Sequence, residues 1–255
     1  MYNVLRAQPF SVSPIFHVRQ RFCTQAPAAP LLRPLFDLSL CLVTHRPDVE
    51  SDEDFVWRVM SAVEGGVTCV QLRDQNKDVQ ASLRTAYRLK ELLREKQIPL
   101  IINNRLDVAL AVQADGIHIG QTDFPYHEAR RLMGERSIIG LTVNTLKDVQ
   151  NAEHLDVDYL GVQLFPSLHT KPHSSQVWGL QGLQTIQRIS RHPLMVIGGV
   201  NLKNLESVCT HLRLADKKDG TAMVGSLWRA KNPSDIAKTV RATFDRVISR
   251  QMNPQ

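Results

Sequence analysis

The residues best suited to chemistry come in bursts at regular intervals. PLIIN (99–103) runs into Asn103-Asn104-Arg105, and ADGIHIG (114–120) runs into Gln121-Thr122-Asp123, with one helix-length segment between them. The same habit recurs along the chain. VTCVQLR ends in Gln71 and Arg73, and SIIGLT ends in Thr142. DYLGVQL is followed by a stretch with Ser167, His169, Thr170, Lys171 and His173. LMVIGG closes on Gly198-Gly199 and TAMVGS on Gly225-Ser226.

Each group suggests a task. Glycines at the last two ends let backbone N–H groups approach an anion closely, which suits a phosphate; read alone, a glycine pair only permits a tight turn. Arg73 and Lys171 supply fixed positive charge. Asp123, with Asn104 as a second oxygen donor, can hold Mg²⁺; taken alone, Asp123 reads as a helix cap for the segment starting at Pro125. Two cations and one hard metal ion suit a pyrophosphate. His118 leaves two readings open, a packed ring or a substrate contact. No serine or cysteine has an evident histidine partner, and neither HExxH nor GxGxxG occurs. Catalysis would then rest on positioning and electrostatics rather than on a protein nucleophile.

These ends must be held together by the elements that precede them. LSLCLVT (38–44) opens the pattern; Ser51 and Asp54 then form a capping-box-like start to a helix carrying Phe55, Val59, Ala62 and Val63, which Gly65-Gly66 ends. After the second strand, Leu83, Ala86, Leu89 and Leu93 mark another helix. Six further apolar runs follow, giving eight strand–helix units between residues 38 and 250. Continuous apolar strands belong to a sheet covered on both faces, and eight such units predict a closed (β/α)8 TIM barrel. In that fold, groups at the C-terminal ends of the strands form the active site.

Composition narrows the classes. Of the net charge of +6, residues 1–36 contribute Arg6, Arg19, Arg21 and Arg33 with no acid. The rest holds 27 basic and 25 acidic residues, too balanced for a nucleic-acid face. No window offers the ~18 uncharged apolar residues of a membrane helix. Cys23, Cys41, Cys69 and Cys209 have no metal or redox spacing and read as reduced packing residues of an intracellular protein. Residues 1–37 read as a disordered extension. Their arginines and the RQRFCT segment also suit an organellar transit peptide, so the expected location is cytoplasmic, or mitochondrial or otherwise organellar if the tail is a targeting signal. Self-association is left open.

The motifs VQLRD (70–74), IINNRLDVALAVQADGIHIGQTD (101–123), IIGLTVNTL (138–146), DYLGV (158–162) with FPSLHTK (165–171), VIGGVN (196–201) and GTAMVGS (220–226) resemble the thiamine phosphate synthase family across residues 38–245. The resemblance implies a transferase that joins hydroxymethylpyrimidine pyrophosphate to thiazole phosphate through dissociative loss of pyrophosphate, aided by Mg²⁺. It implies that Gln71, Arg73 and Asn103 meet the pyrimidine pyrophosphate, with Thr142 near the pyrimidine. Thr170 and Lys171 match the family's loop, and Asp123 matches its metal ligand. Gly198, Gly199, Gly225 and Ser226 match the thiazole phosphate cradle. The chain departs from the pattern in four places. Asn104 replaces a metal-binding aspartate, and Gln75 replaces a lysine, with Lys77 nearby. The Phe165-Pro166 pair is shifted by one, leaving Ser167 in place of the first loop threonine. Gly225 sits where a serine is usual. At ~2 kcal/mol each, losing the carboxylate and the ammonium would slow the reaction about 10³-fold. Two alternatives remain at this stage: a thiazole tautomerase, and a non-catalytic binder of thiazole phosphate or thiamine phosphate.

Overall fold

Four- to six-residue runs rich in Val, Ile and Leu are too short for helices and too apolar for exposed strands, so they pair with one another and are covered on both sides. The computed structural model describes residues 36–46, 51–74, 78–166, 177–216 and 218–253. The strands are β1 (Leu40–Val43), β2 (Cys69–Leu72), β3 (Leu100–Asn103), β4 (Gly116–Ile119), β5 (Ile138–Val143), β6 (Tyr159–Gln163), β7 (Leu194–Ile197) and β8 (Gly220–Met223). All neighbours are parallel, in chain order, and β8 returns to β1 to close the barrel, as the sequence predicts. The helices between and after them are α1 (Asp52–Glu64), α2 (Val79–Glu95), α3 (Leu106–Ala111), α4 (Tyr126–Met133), α5 (Leu146–Ala152), α6 (Gly179–Ile189), α7 (Leu205–Cys209), α8 (Gly225–Trp228) and α9 (Pro233–Met252). None is long and apolar enough to cross a membrane among the described residues.

The period of two along each strand divides the core into two layers. Leu40, Leu42, Val70, Leu72, Leu100, Ile102, Ile117 and Ile119 face outward, where they meet Phe55, Val59, Leu89 and Leu93 of the helices. The intervening residues Cys41, Cys69, Ile101, Ile138, Tyr159, Met195 and Ala222 fill the barrel interior. Cys41, Cys69 and Cys209 are buried free thiols, consistent with packing roles.

The N-terminal rim is held by one repeated device. Thr68, Asp115, Asp158 and Asp219 each stand one residue before an even-numbered strand. Each accepts an N–H at the start of the preceding strand: Leu40 at 3.0 Å, Leu100 at 2.8 Å, Ile139 at 2.7 Å and Leu194 at 3.0 Å. The three carboxylates also pair with Lys90 (2.6 Å), Arg130 (3.1 Å) and Arg213 (2.8 Å). Polar residues at this end stabilise; those at the opposite end are left for function.

Candidate active site

Continuing the interior alternation one step upward gives the floor of a cavity. Two residues past Cys69 stands Gln71; two past Ile101, Asn103; two past Gly116, His118; two past Gly140, Thr142; two past Gly161, Gln163. These polar groups line one wall of a cavity of about 120 Å³, together with Arg73, Asn104 and Asp123. Val43, Met195, Ile197 and Val224 form its other wall. One polar wall facing one apolar wall suits a flat ring with heteroatoms on its edge.

The histidine belongs to a chain of hydrogen bonds. Its Nδ1 lies 3.0 Å from the Tyr159 hydroxyl, and its Nε2 lies 2.8 Å from Thr142 Oγ1. Gln71 Nε2 donates to the same phenol oxygen at 3.4 Å. Tyr159 and His118 lie nearly parallel, with centroids 5.5 Å apart. Both rings fit because Gly140 and Gly161 face them: a Cβ on Gly140 would lie 2.1 Å from Tyr159, and one on Gly161 would lie 2.8 Å from His118. Burial pushes the Tyr159 phenol well above its ordinary pKa, so it stays protonated. The phenol has its proton to donate to Nδ1, and a ring that accepts it there carries its hydrogen on Nε2, facing Thr142 Oγ1. His118 thus links the buried Tyr159 phenol to the Thr142 hydroxyl. The ring is buried and also lines the cavity beside Thr142.

Arg73 stands just beyond β2. Its N–H donates to Thr44 Oγ1 at 3.0 Å, which ties it to the loop after β1. Burial draws its pKa down, but a guanidinium remains charged at neutral pH. Asn104 takes a left-handed conformation, φ 65°, which asparagine and aspartate tolerate better than most residues. Its N–H donates to the His118 carbonyl at 2.9 Å. Asp123 does not cap a helix: α4 starts at Tyr126 behind Pro125, without a side-chain cap, and Asp123 Oδ2 accepts the Gly120 N–H at 2.6 Å instead. Asp123 and Asn104 thus bring one carboxylate and one carboxamide to the same wall. Among the described residues there is no cluster of three or more His, Cys, Asp or Glu that could cage a metal.

A second cavity of about 380 Å³ adjoins the first across Ile197, Gly198 and Val224. Gly198, Gly199, Gly225 and Ser226 all line it, with Asn201, Asn204 and Arg229. Gly198 and Gly199 have φ of 89° and 64°. Side chains there would also collide with Phe165, a Cβ on Gly198 lying 2.8 Å from its carbonyl oxygen and one on Gly199 lying 2.6 Å from its Cβ. Ser226 Oγ donates to the Val200 carbonyl at 3.1 Å, joining the two glycine loops. Thr170, Lys171, Ser167, His169, His173, Gln75 and Lys77 lie outside the described residues.

Comparison with known proteins gives the family. The family model "Thiamine monophosphate synthase" matches residues 40–226, from the first residue of β1 through both glycine loops of the second cavity. The chain belongs to the thiamine-phosphate synthase family. The thiamine-phosphate synthase of Albidiferax ferrireducens is 43% identical over 189 residues, covering 74% of this chain and 84% of that protein. That of Syntrophomonas wolfei is 37% identical over 210 residues, covering 82% and 98%. Among solved structures, a thiamine phosphate pyrophosphorylase from Pyrococcus furiosus superposes with a TM-score of 0.71 at 29% identity, covering 84% of this chain and 98% of that one.

The sequence singles out most of the polar residues and the glycine pairs that line the two cavities of this thiamine-phosphate synthase family member, but not Gln163 or Arg229, nor Tyr159, which lies beneath His118. Tyr159 and Gln163 sit in an apolar run whose inward positions only the register reveals. Arg229 lies in the turn after α8, past the strand end where the barrel rule looks, and just past the end of the family match.

Proposed function

We propose that this protein joins hydroxymethylpyrimidine pyrophosphate to thiazole phosphate, giving thiamine phosphate and pyrophosphate. The observation that carries the reading is the pair of adjoining cavities. One has a cationic and carboxylate-bearing wall and the other a glycine-rich lining, and they share Ile197, Gly198 and Val224. Two substrates seated in them would meet at that shared wall.

The pyrimidine ring lies between the apolar wall and Gln71, Asn103 and Thr142, with the Thr142 hydroxyl oriented by His118. Arg73 and Lys171 bind the pyrophosphate, and Thr170 belongs to the same loop. As the carbon–oxygen bond to pyrophosphate breaks, negative charge grows on the leaving group, and fixed cations stabilise it without having to reorganise. The thiazole nitrogen, held by its phosphate in the glycine-lined cavity, then bonds to the exposed carbon. The chain supplies proximity and charge and no covalent intermediate.

Asp123 and Asn104 fit Mg²⁺ as hard oxygen donors on the pyrophosphate side, since this ion usually takes one or two carboxylates and completes its shell with waters and substrate phosphates. When bound there, Mg²⁺ would neutralise charge on the departing pyrophosphate. The reading also places the catalytic barrel at residues 38–250 of a cytoplasmic protein. Residues 1–37 are an extension that a fluorescent-protein fusion would test for organellar targeting.

The test is direct. The full-length protein is mixed with both substrates and Mg²⁺, and thiamine phosphate is read as its fluorescent oxidation product. Product that is lost with EDTA and in Lys171→Ala supports the reading. Binding of thiazole phosphate without any product would instead make the protein a non-catalytic binder.

A further inference from the structure

The glycine-lined cavity carries one charge that the reaction has not used. Arg229 is the only charged side chain among the described residues that line it. Its guanidinium lies against Gly225: a Cβ built at position 225 would stand 2.4 Å from Nη2 and 3.2 Å from Cζ. The backbone around Arg229 is fixed on both sides. Arg58 Nη1 donates to the Trp228 carbonyl at 2.8 Å and to the Ala230 carbonyl at 3.1 Å. The Arg229 N–H itself donates to the Gly225 carbonyl at 3.1 Å. The neutral donors nearby are partly engaged in the rim. Ser226 Oγ donates to Val200, and the Asn201 and Asn204 side chains both donate to the Gly199 carbonyl at 2.9 Å. The cavity thus offers an anion a long-reach guanidinium that no carboxylate among its described lining residues neutralises.

We propose that Arg229 is the cation that recognises the phosphate of the thiazole substrate, and that Gly225 makes the room its guanidinium occupies. Positions 225 and 229 then act as a pair that makes the enzyme prefer a phosphorylated thiazole over the free alcohol. The proposal rests on the synthase reading for the identity of the ligand. The pairing itself rests on the geometry of Gly225, Arg229 and Arg58. The three atoms nearest a Cβ at 225 all belong to the flexible end of Arg229, so Gly225→Ser should fold normally while moving the guanidinium aside. Arg229 is exposed, so its substitution should leave the barrel intact as well.

The experiment is a binding series by calorimetry on the full chain, with thiazole phosphate, the unphosphorylated thiazole alcohol and inorganic phosphate as separate probes. Wild type, R229Q, R229K, G225S and the G225S/R229Q double variant are compared. The expected result is a loss of thiazole phosphate affinity on the order of tenfold in R229Q, with partial recovery in R229K. The alcohol should bind all variants alike. G225S should weaken phosphate-dependent binding, and G225S should add little in the R229Q background, because both changes remove the same contact. In the thiamine phosphate assay, the KM for thiazole phosphate should rise several-fold more than the KM for the pyrimidine substrate in R229Q. Equal affinity of wild type and R229Q, additive effects of the two substitutions, or no phosphate-dependent binding by wild type would each overturn the pairing. Should wild type bind thiazole phosphate and R229Q bind it weakly while no thiamine phosphate forms, the synthase reading fails and the pairing stands.

Discussion

Removing one oxygen atom from Tyr159 tests the buried chain that reaches Thr142. In Tyr159→Phe the ring still fills the space against Gly140, but His118 Nδ1 and Gln71 Nε2 lose their shared partner. Both residues are buried. An unsatisfied buried polar group costs about 1–3 kcal/mol, and the longer 3.4 Å contact to Gln71 contributes less than the 3.0 Å contact to His118, so a loss of about 2 kcal/mol in unfolding free energy at pH 7 is expected. The pH dependence gives a second signature. At pH 7 the phenol is protonated in both states and its titration contributes nothing. Burial holds the folded phenol well above its ordinary value, so as pH rises past about 10 the unfolded chain ionises first and wild-type stability falls, by about 1.4 kcal/mol per pH unit from this group alone. Phenylalanine removes that component. Denaturant unfolding at pH 7 and pH 11 should therefore show Tyr159→Phe less stable at the lower pH and the gap narrowing by about 1.4 kcal/mol at the higher. Kinetics should show kcat/KM reduced ten- to a hundred-fold on the order of magnitude of a misplaced substrate contact, because the His118 tautomer that orients Thr142 is no longer enforced. Equal stability at pH 7 together with a parallel loss at pH 11 would refute the hydrogen-bonded chain.

Three further outcomes are expected. Asp219→Ala strips the buried carboxylate from Arg213 and from the Leu194 N–H, and should cost about 3–5 kcal/mol in denaturant unfolding while leaving substrate KM values unchanged, because it sits at the opposite end of the barrel. Asn104→Asp keeps the left-handed backbone and adds a charge beside Asp123. It should lower the Mg²⁺ concentration for half-maximal activity about tenfold and raise turnover with it, as measured by metal titration of the thiamine phosphate assay. Arg73→Ala should lower kcat about 10²–10³-fold, and Arg73→Lys should restore little of that because a single ammonium does not reproduce the guanidinium's fork of donors.

The barrel was legible because its signal is repeated eight times. Seven of the eight apolar runs end in polar residues or glycine pairs, and one rule about strand ends turns that repetition into a list of site residues. The regions that stayed hidden share a physical cause. Inside a closed barrel both faces of every strand are buried, so hydrophobic alternation cannot tell Tyr159 from Leu160, and only the register with Gly140 and Gly161 shows which one faces His118. Asp123 reads as a helix cap in one dimension because caps depend on local spacing. Folded, its carboxylate turns back to Gly120, which leaves it on the cavity wall beside Asn104. Arg229 is the furthest from legibility. Nothing in GSLWRAK marks an arginine as part of a cavity lining. Its position follows from the absence of a side chain four residues earlier and from Arg58, 171 residues before it, whose guanidinium holds the carbonyls on either side. A glycine at the end of β8 was expected to matter for what its backbone can approach. The structure gives it a second consequence, since the space it leaves is taken by a charge. On the proposed pairing, a barrel of this kind changes its preference for a phosphorylated substrate by exchanging the glycine just past β8 and the arginine four residues after it together, without altering any strand.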